Sequence, residues 1–216
     1  RVPSAEGKMR FWRNTTIANL APGGFTDLPN GTLGYEWDED RDNGFRPAGL
    51  IRMSDTTENG VDYLQDYGST YASGTANHAL TFYKFGNALV FGAGTVQWSW
   101  GLDSNHDRGA TAPSTQMRQA TVNLFADMSV QPLTLQPGLV VAVPSTDTVP
   151  PTSTIVSPAN GAGVPANTTI SISGTASDAV GEIGGGQVGG VEVSTDDGAT
   201  WHPAQGRANW TYSWTP

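Results

Sequence analysis

The stretch "GGVEVSTDDGATW" (residues 189–201) alternates Val191 and Val193 on one side of an extended chain, then meets Asp197-Gly198. Period-two alternation stopped by an Asp-Gly pair marks a strand running into a tight turn. Its neighbours behave alike. In "TTISISGTASD" (168–178) Ile170 and Ile172 share a face, and in "NWTYSWTP" (209–216) Trp210, Tyr212 and Trp214 do. This end of the chain therefore reads as β.

Short strands at even spacing, with Gly and Asp turns, predict an immunoglobulin-like sandwich. Such a domain usually takes about 100 residues, so the 70 residues of 147–216 predict one whose last strands are missing. The boundary comes from "QPLTLQPGLVVAVPSTDTVPPTST" (131–154), which holds five prolines. Proline fixes φ and removes donors, so "DTVPPTS" reads as a stiff linker between a domain at 1–146 and a second at 147–216.

The first part is mixed. "GKMRFWRNTTIANL" (7–20) and "HALTFYKFGNALVFGAGTVQWSW" (78–100) read as strands, the latter as a hairpin turning at Gly86-Asn87. "PSTQMRQATVNLFADM" (113–128) reads as a helix, with Met117, Ala120, Leu124 and Met128 on one stripe. Pro113 and Ser114 start it and "QPLTLQP" stops it. The expected fold class is mainly β with one α-helix: a strand-rich partial α/β domain followed by an Ig-like sandwich.

The formal net charge is −9, and only Lys8 and Lys84 are lysines. Nothing here forms a cationic stripe for phosphates, which argues against nucleic acid and anionic membranes as partners. No apolar run approaches the roughly 20 residues that span a bilayer, so membrane insertion is not expected. There is no cysteine, which removes disulfides, zinc-thiolate sites and thiol nucleophiles. Abundant Gly, Thr, Ser, Asn and Pro beside scarce Lys suits an extracellular β protein.

Three stretches carry side chains with chemistry. In "GYEWDEDRDNGFRP" (34–47), Glu36, Asp38, Asp40 and Asp42 project from one face if the segment is extended, with Glu39 between them. Such an oxygen-rich comb suits calcium. The EF-hand template fails, since counting from Asp38 puts Asn43 at position 6 and Gly49 at position 12. A solvated acidic turn screened by Arg41, Arg46 and Arg52 is the competing reading. "STDDGATW" (194–201) fits the Asp-box pattern S-x-D-x-G-x-T-W, a hairpin whose aspartate accepts backbone N–H groups while the tryptophan covers the fold beneath; it reads as scaffolding.

In "GTVQWSWGLDSNHDRG" (94–109), Trp98 and Trp100 share a strand face, either stacking on sugar rings or plugging a core. Asp103, His106 and Asp107 follow as candidates for acid–base work. The glycine-rich "GEIGGGQVGG" (181–190) reads as a loop between strands.

Together "GKMRFWRNT", "LGYEWDEDRDNGFRPAGLIRMS", "ALVFGAGTVQWSWGLD" and "QATVNLFADM" resemble the C-terminal region of the N,N-dimethylformamidase large-subunit family, over roughly residues 5–130. The resemblance implies a glutamine-amidotransferase-like α/β domain without the amidotransferase cysteine. It also implies hydrolysis of formamides at a mononuclear iron held by tyrosine and glutamate. No matching ligand motif stands in this chain, and neither Tyr35-Glu36 nor the loose set Tyr63, Tyr67 and Tyr71 supplies one. The segment from "PPTSTIVSPAN" to "VEVSTDDGATWHPA" is similar to bacterial Ig-like modules of large secreted proteins. Its last part is similar also to the Ig-like dimerisation domain of sulfite-oxidase-type enzymes.

The expected function is that of a non-catalytic structural or binding part of a large exported bacterial protein, contacting carbohydrate or neighbouring domains. Two alternatives stay open: a contribution to an amide hydrolase whose metal ligands lie upstream, and a calcium-stabilised adhesive module. An exposed sheet edge is a pairing hazard, so an oligomer formed through such an edge is a further expectation.

Overall fold

Ser114 starts the helix: its side chain accepts from the Met117 N–H at 3.3 Å, satisfying one of the first unpaired donors of Thr115–Asp127. Met117, Ala120 and Leu124 are buried on the inner face, as their spacing predicts. The computed structural model describes residues 1–34, 36–109, 111–178 and 186–216. Tyr35 and residues 181–185 of the glycine-rich stretch lie outside the described residues. Among the described residues the chain is mostly β, and Thr115–Asp127 is the one long helix. It forms two compact units, residues 1–41 with 52–144, and residues 42–51 with 145–216.

In the first unit the helix carries a polar network as well as an apolar stripe. Asn123, fully buried, donates to the carbonyls of Phe11 and Arg13 at 2.8 and 2.6 Å. Arg13 and Arg10 reach the Asp127 carboxylate at 2.8 and 3.0 Å. These bonds fix Arg10–Trp12 as a tight helical turn rather than the strand that the alternation suggests, and Asn14 then takes a left-handed φ of 60°. The turn buries both Phe11 and Trp12, an adjacent pair that a strand would place on opposite faces.

The hairpin at 81–92 forms as expected, Thr81–Phe85 against Ala88–Gly92 across Gly86-Asn87, in a three-stranded sheet completed by Ile51–Arg52. It stops at Gly92, whereas the alternation of "GTVQWSW" suggests a longer strand. Gly94 has φ +59°, a left-handed turn that ends the strand, and Trp98–Gly101 coil into a helical turn. Ahead of this hairpin stands a two-stranded ribbon, Thr56–Gln65 paired antiparallel with Thr70–His78, with a bulge between Asn59 and Val61. Among the described residues its strands pair only with each other.

The second unit is a sandwich. Gln205–Gly206, Asn209–Trp214, Ile170–Ser177 and Thr152–Ser157 form a four-stranded sheet in that order, and Glu192–Val193 pairs with His202–Pro203. Ile172, Ala176 and Trp210 from the larger sheet close on Val193 from the smaller one and on Val191 just ahead of it. This is the burial that the alternation predicts. Residues 42–51 belong to this unit: Arg46, its side chain only 5% exposed, pairs with Glu192, whose other oxygen accepts the Gly49 N–H at 2.6 Å. Ile51 lies against Gly189 so closely that a Cβ there would sit 2.8 Å from its methyl carbon.

The Asp-box forms as the pattern requires. Asp196 accepts from the Thr200 hydroxyl and N–H at 2.6 and 2.9 Å and from Ser194 at 2.8 Å. Those bonds, led by the Thr200 hydroxyl, hold its pKa at about 2. Trp201 is 40% exposed, and its ring lies near Gly198, where a Cβ would stand 3.8 Å from it.

Candidate functional site

A cavity of about 520 Å³ opens in the first unit, a size within the usual range for small-molecule sites. Trp98 and Trp37 both line it. Trp98 is seated by Phe91, 5.8 Å away edge-on, and Phe91 is stacked on Phe11 at 5.3 Å. Trp37 meets the ring of His78 edge-on at 6.0 Å.

His78 closes the ribbon and is buried at the cavity wall. Its Nε2 stands 2.8 Å from the Ala93 carbonyl, an atom that only accepts, so Nε2 carries the proton and Nδ1 keeps the lone pair. Desolvation, opposed by that hydrogen bond, pushes the imidazole pKa down. The left-handed turn at Gly94 permits the approach, since a Cβ there would stand 3.1 Å from Nε2. The Gly94 carbonyl in turn accepts the Asp38 N–H at 2.8 Å.

The remaining wall is polar. Thr56, Thr57 and Glu58 come from the ribbon, and Asn30 and Thr32 from the strap at 29–33. Asp27 pairs with Arg1 at 2.9 Å, and hydrogen bonding to that guanidinium pulls the Asp27 pKa down. Arg1 also lies over the Phe25 ring at 3.8 Å. Ser54 Oγ is spent on the Leu80 N–H at 2.7 Å. Indole walls facing hydroxyl, amide and carboxylate groups suit a small polar ligand held by stacking and hydrogen bonds.

Of the residues singled out from the sequence, Trp98 alone lines this cavity. Trp100 instead stacks on His106, rings 4.6 Å apart and 8° from parallel. The two tryptophans diverge because they stand on a helical turn, not on a strand. Asp103 accepts from the Asn105 N–H at 2.7 Å, and the Asp107 carboxylate lies 3.9 Å from Arg108. The ring nitrogens of His106 face the backbone carbonyls of Asp107 and Thr111 at 2.9 and 3.4 Å.

The acidic comb is divided rather than gathered. Asp40 pairs with Arg52 at 2.7 Å; Glu39 takes Arg41 at 2.6 Å and the Asn77 N–H at 2.5 Å. Asp42 faces His202 Nδ1 at 2.9 Å within the second unit, and Glu36 sits at a left-handed φ of 59°. Among the described residues no group of three or more His, Cys, Asp or Glu stands ready to hold a metal.

Sequence reasoning missed Trp37, His78, Asp27 and Glu58 as one constellation. Trp37 lies inside the acidic comb, where the carboxylates on either side are the stronger sequence signal.

The chain thus joins a cavity-bearing, mainly β domain to an Ig-like β-sandwich. Residues 1–110 match the family model described as "N,N-dimethylformamidase beta subunit-like, C-terminal", and residues 151–216 match "Bacterial Ig domain". The first match spans half of the chain, which belongs to that N,N-dimethylformamidase beta subunit-like family. Comparison with curated proteins and with solved structures gave no match. The iron centre that the earlier resemblance implies does not fit the residues described. Tyr67 and Tyr71 are exposed on the ribbon, and no carboxylate cluster stands with them.

Proposed function

We propose that this chain is a non-catalytic binding part of a large exported bacterial protein, and that the cavity of the first unit takes a carbohydrate. The observation that supports the reading is the pair Trp37 and Trp98 facing one polar-walled space. Indole faces stack on the C–H faces of sugar rings, while Asn30, Thr57 and Glu58 offer hydrogen bonds to hydroxyls. Export, the division of domains at 146/147, and descent of the first unit from an amidotransferase-like α/β domain belong to the same proposal, supported by family membership and composition. Titration with mono- and oligosaccharides, read by indole fluorescence and by a glycan array, tests it. Saturable quenching lost in Trp98→Ala supports the reading, and no retention of any glycan overturns it.

A second reading draws on the family itself: the first unit supplies part of the pocket wall of an amide hydrolase. Dimethylamine release from N,N-dimethylformamide by the full-length protein, lost in Glu36→Gln or Asp103→Asn, favours it. Activity that survives both changes removes this segment from the site.

A further inference from the structure

The ribbon has two outer edges, and they differ. The Thr56–Gln65 edge carries Glu58 and Asp62 and is broken by the bulge at Asn59/Val61. Charge and a bulge both keep foreign strands away. The other edge, "TYASGTANH" (70–78), has no acidic or basic residue before its closing histidine, no proline and no bulge.

The register says which backbone groups that edge presents. Glu39 accepts the outward N–H of Asn77. In an antiparallel ladder, N–H and C=O point outward at every second residue. Tyr71, Ser73 and Thr75 therefore share Asn77's orientation. Their side chains lie on the exposed face, Tyr71 at 69%. Glu39 plugs the edge at its root and leaves the rest open.

We propose that a second copy of this chain pairs here, its Thr70–His78 strand lying antiparallel to the first about a two-fold axis at Ser73. An isologous interface needs one patch that complements itself. This edge does: Ser73 meets Ser73, and Tyr71 meets Thr75 on both sides of the axis, an aromatic to β-branched pairing favoured across strands. Charge selects the edge. In a chain of net charge −9, a strand free of carboxylates is where two copies meet without repulsion, whereas the other edge would set Glu58 and Asp62 against their own copies. The result is a four-stranded sheet in place of two ribbons, and a lone hairpin is only marginally stable in water. The inference does not depend on what the cavity binds.

Sedimentation equilibrium from micromolar to hundreds of micromolar chain tests it, using wild type, Ser73→Lys and Ser73→Asp. Position 73 is exposed but faces Asp62 across the ribbon, so melting of each variant at a concentration where wild type is monomeric must first show a folded monomer, and Ser73→Asn, which adds no charge, is expected to keep the dimer. Wild type is expected to reach the dimer mass, each charged variant alone to stay monomeric through like charges on the axis, and an equimolar mixture of the two to recover the dimer. Ser73→Pro, which removes the outward N–H and none of the ribbon's own ladder donors, is expected to be monomeric as well. A wild type that stays monomeric, a dimer untouched by the charges or the proline, or a mixture that fails to recover it overturns the proposal.

Discussion

Gln119 and Val140 exchange two hydrogen bonds: the side-chain amide donates to the Val140 carbonyl at 2.9 Å and accepts its N–H at 2.8 Å. A helix side chain thus stands in for a β partner. It docks residues 139–142 on the helix, where Ala142 is buried against Val122 and Ala126. Gln119→Ala leaves both Val140 groups and the Asn123 side chain short of a partner. Urea denaturation should show a loss of about 1–3 kcal/mol. An unchanged midpoint would mean that water replaces the amide at no cost.

Glu192→Ala removes the carboxylate that Arg46 and the Gly49 N–H share. The Arg46 side chain is buried, and loss of its Glu192 partner should cost on the order of 3 kcal/mol. Hydrogen exchange should rise across 42–51 before it rises in the Asn209–Trp214 strand. Equal protection in variant and wild type would show that Ile51 and the Asp42–His202 contact hold the segment without it.

The Asp196 carboxylate should titrate near 2 in a carbon-detected NMR series. The sign follows from linkage. A carboxylate whose folded pKa is depressed adds stability that is complete above its ordinary value of 3.8 and is lost as pH falls through about 2. Asp196→Asn should flatten that part of the acid limb. A midpoint near 4 would mean that the Thr200 and Ser194 bonds do not persist in solution.

His78 acts in the other direction. Burial favours its neutral form, so the unfolded chain binds more protons once pH drops below the ordinary value of 6.5. Stability should therefore fall with acid from about that pH, and the slope should shrink in His78→Gln. A pH-independent melt between about 7 and 5 would place His78 in water.

Divided among Arg52, His202, Arg41 and the Asn77 N–H, the comb carboxylates should give the same melting curve in EDTA as in millimolar calcium. A cation bound only to the folded chain stabilises it by about 2.7 kcal/mol at a hundredfold excess over Kd. A rise of several degrees, absent in the Asp38→Asn/Asp40→Asn double variant, would make the comb a calcium site after all.

The second unit was legible because its signals are local. Ile172, Val191, Val193 and Trp210 alternate within short runs, and each run buries the face it announces. The helix was legible from its stripe and from Ser114. The 7–20 and 94–100 stretches were not, since what bends them is remote: Asn123 and Asp127 for the first, the His78–Ala93–Gly94 packing for the second. The cavity was hidden for the same reason. Asp27, Trp37, Glu58, His78 and Trp98 are spread over 72 positions of sequence, with no spacing rule that joins them.

The placement of residues 42–51 has a consequence for how the chain is made. Those residues leave the ribosome well before Glu192 and His202, their partners in the second unit. Synthesis at about 5–20 residues per second separates the two by on the order of ten seconds. During that interval the first unit must accommodate a ten-residue excursion whose docking surface does not yet exist. The sandwich in turn closes over Gly189 only with a segment supplied from the far side of the linker. A chain started at Ser145 would lack that segment, and Arg46 added in trans as a 42–51 peptide should restore what is missing.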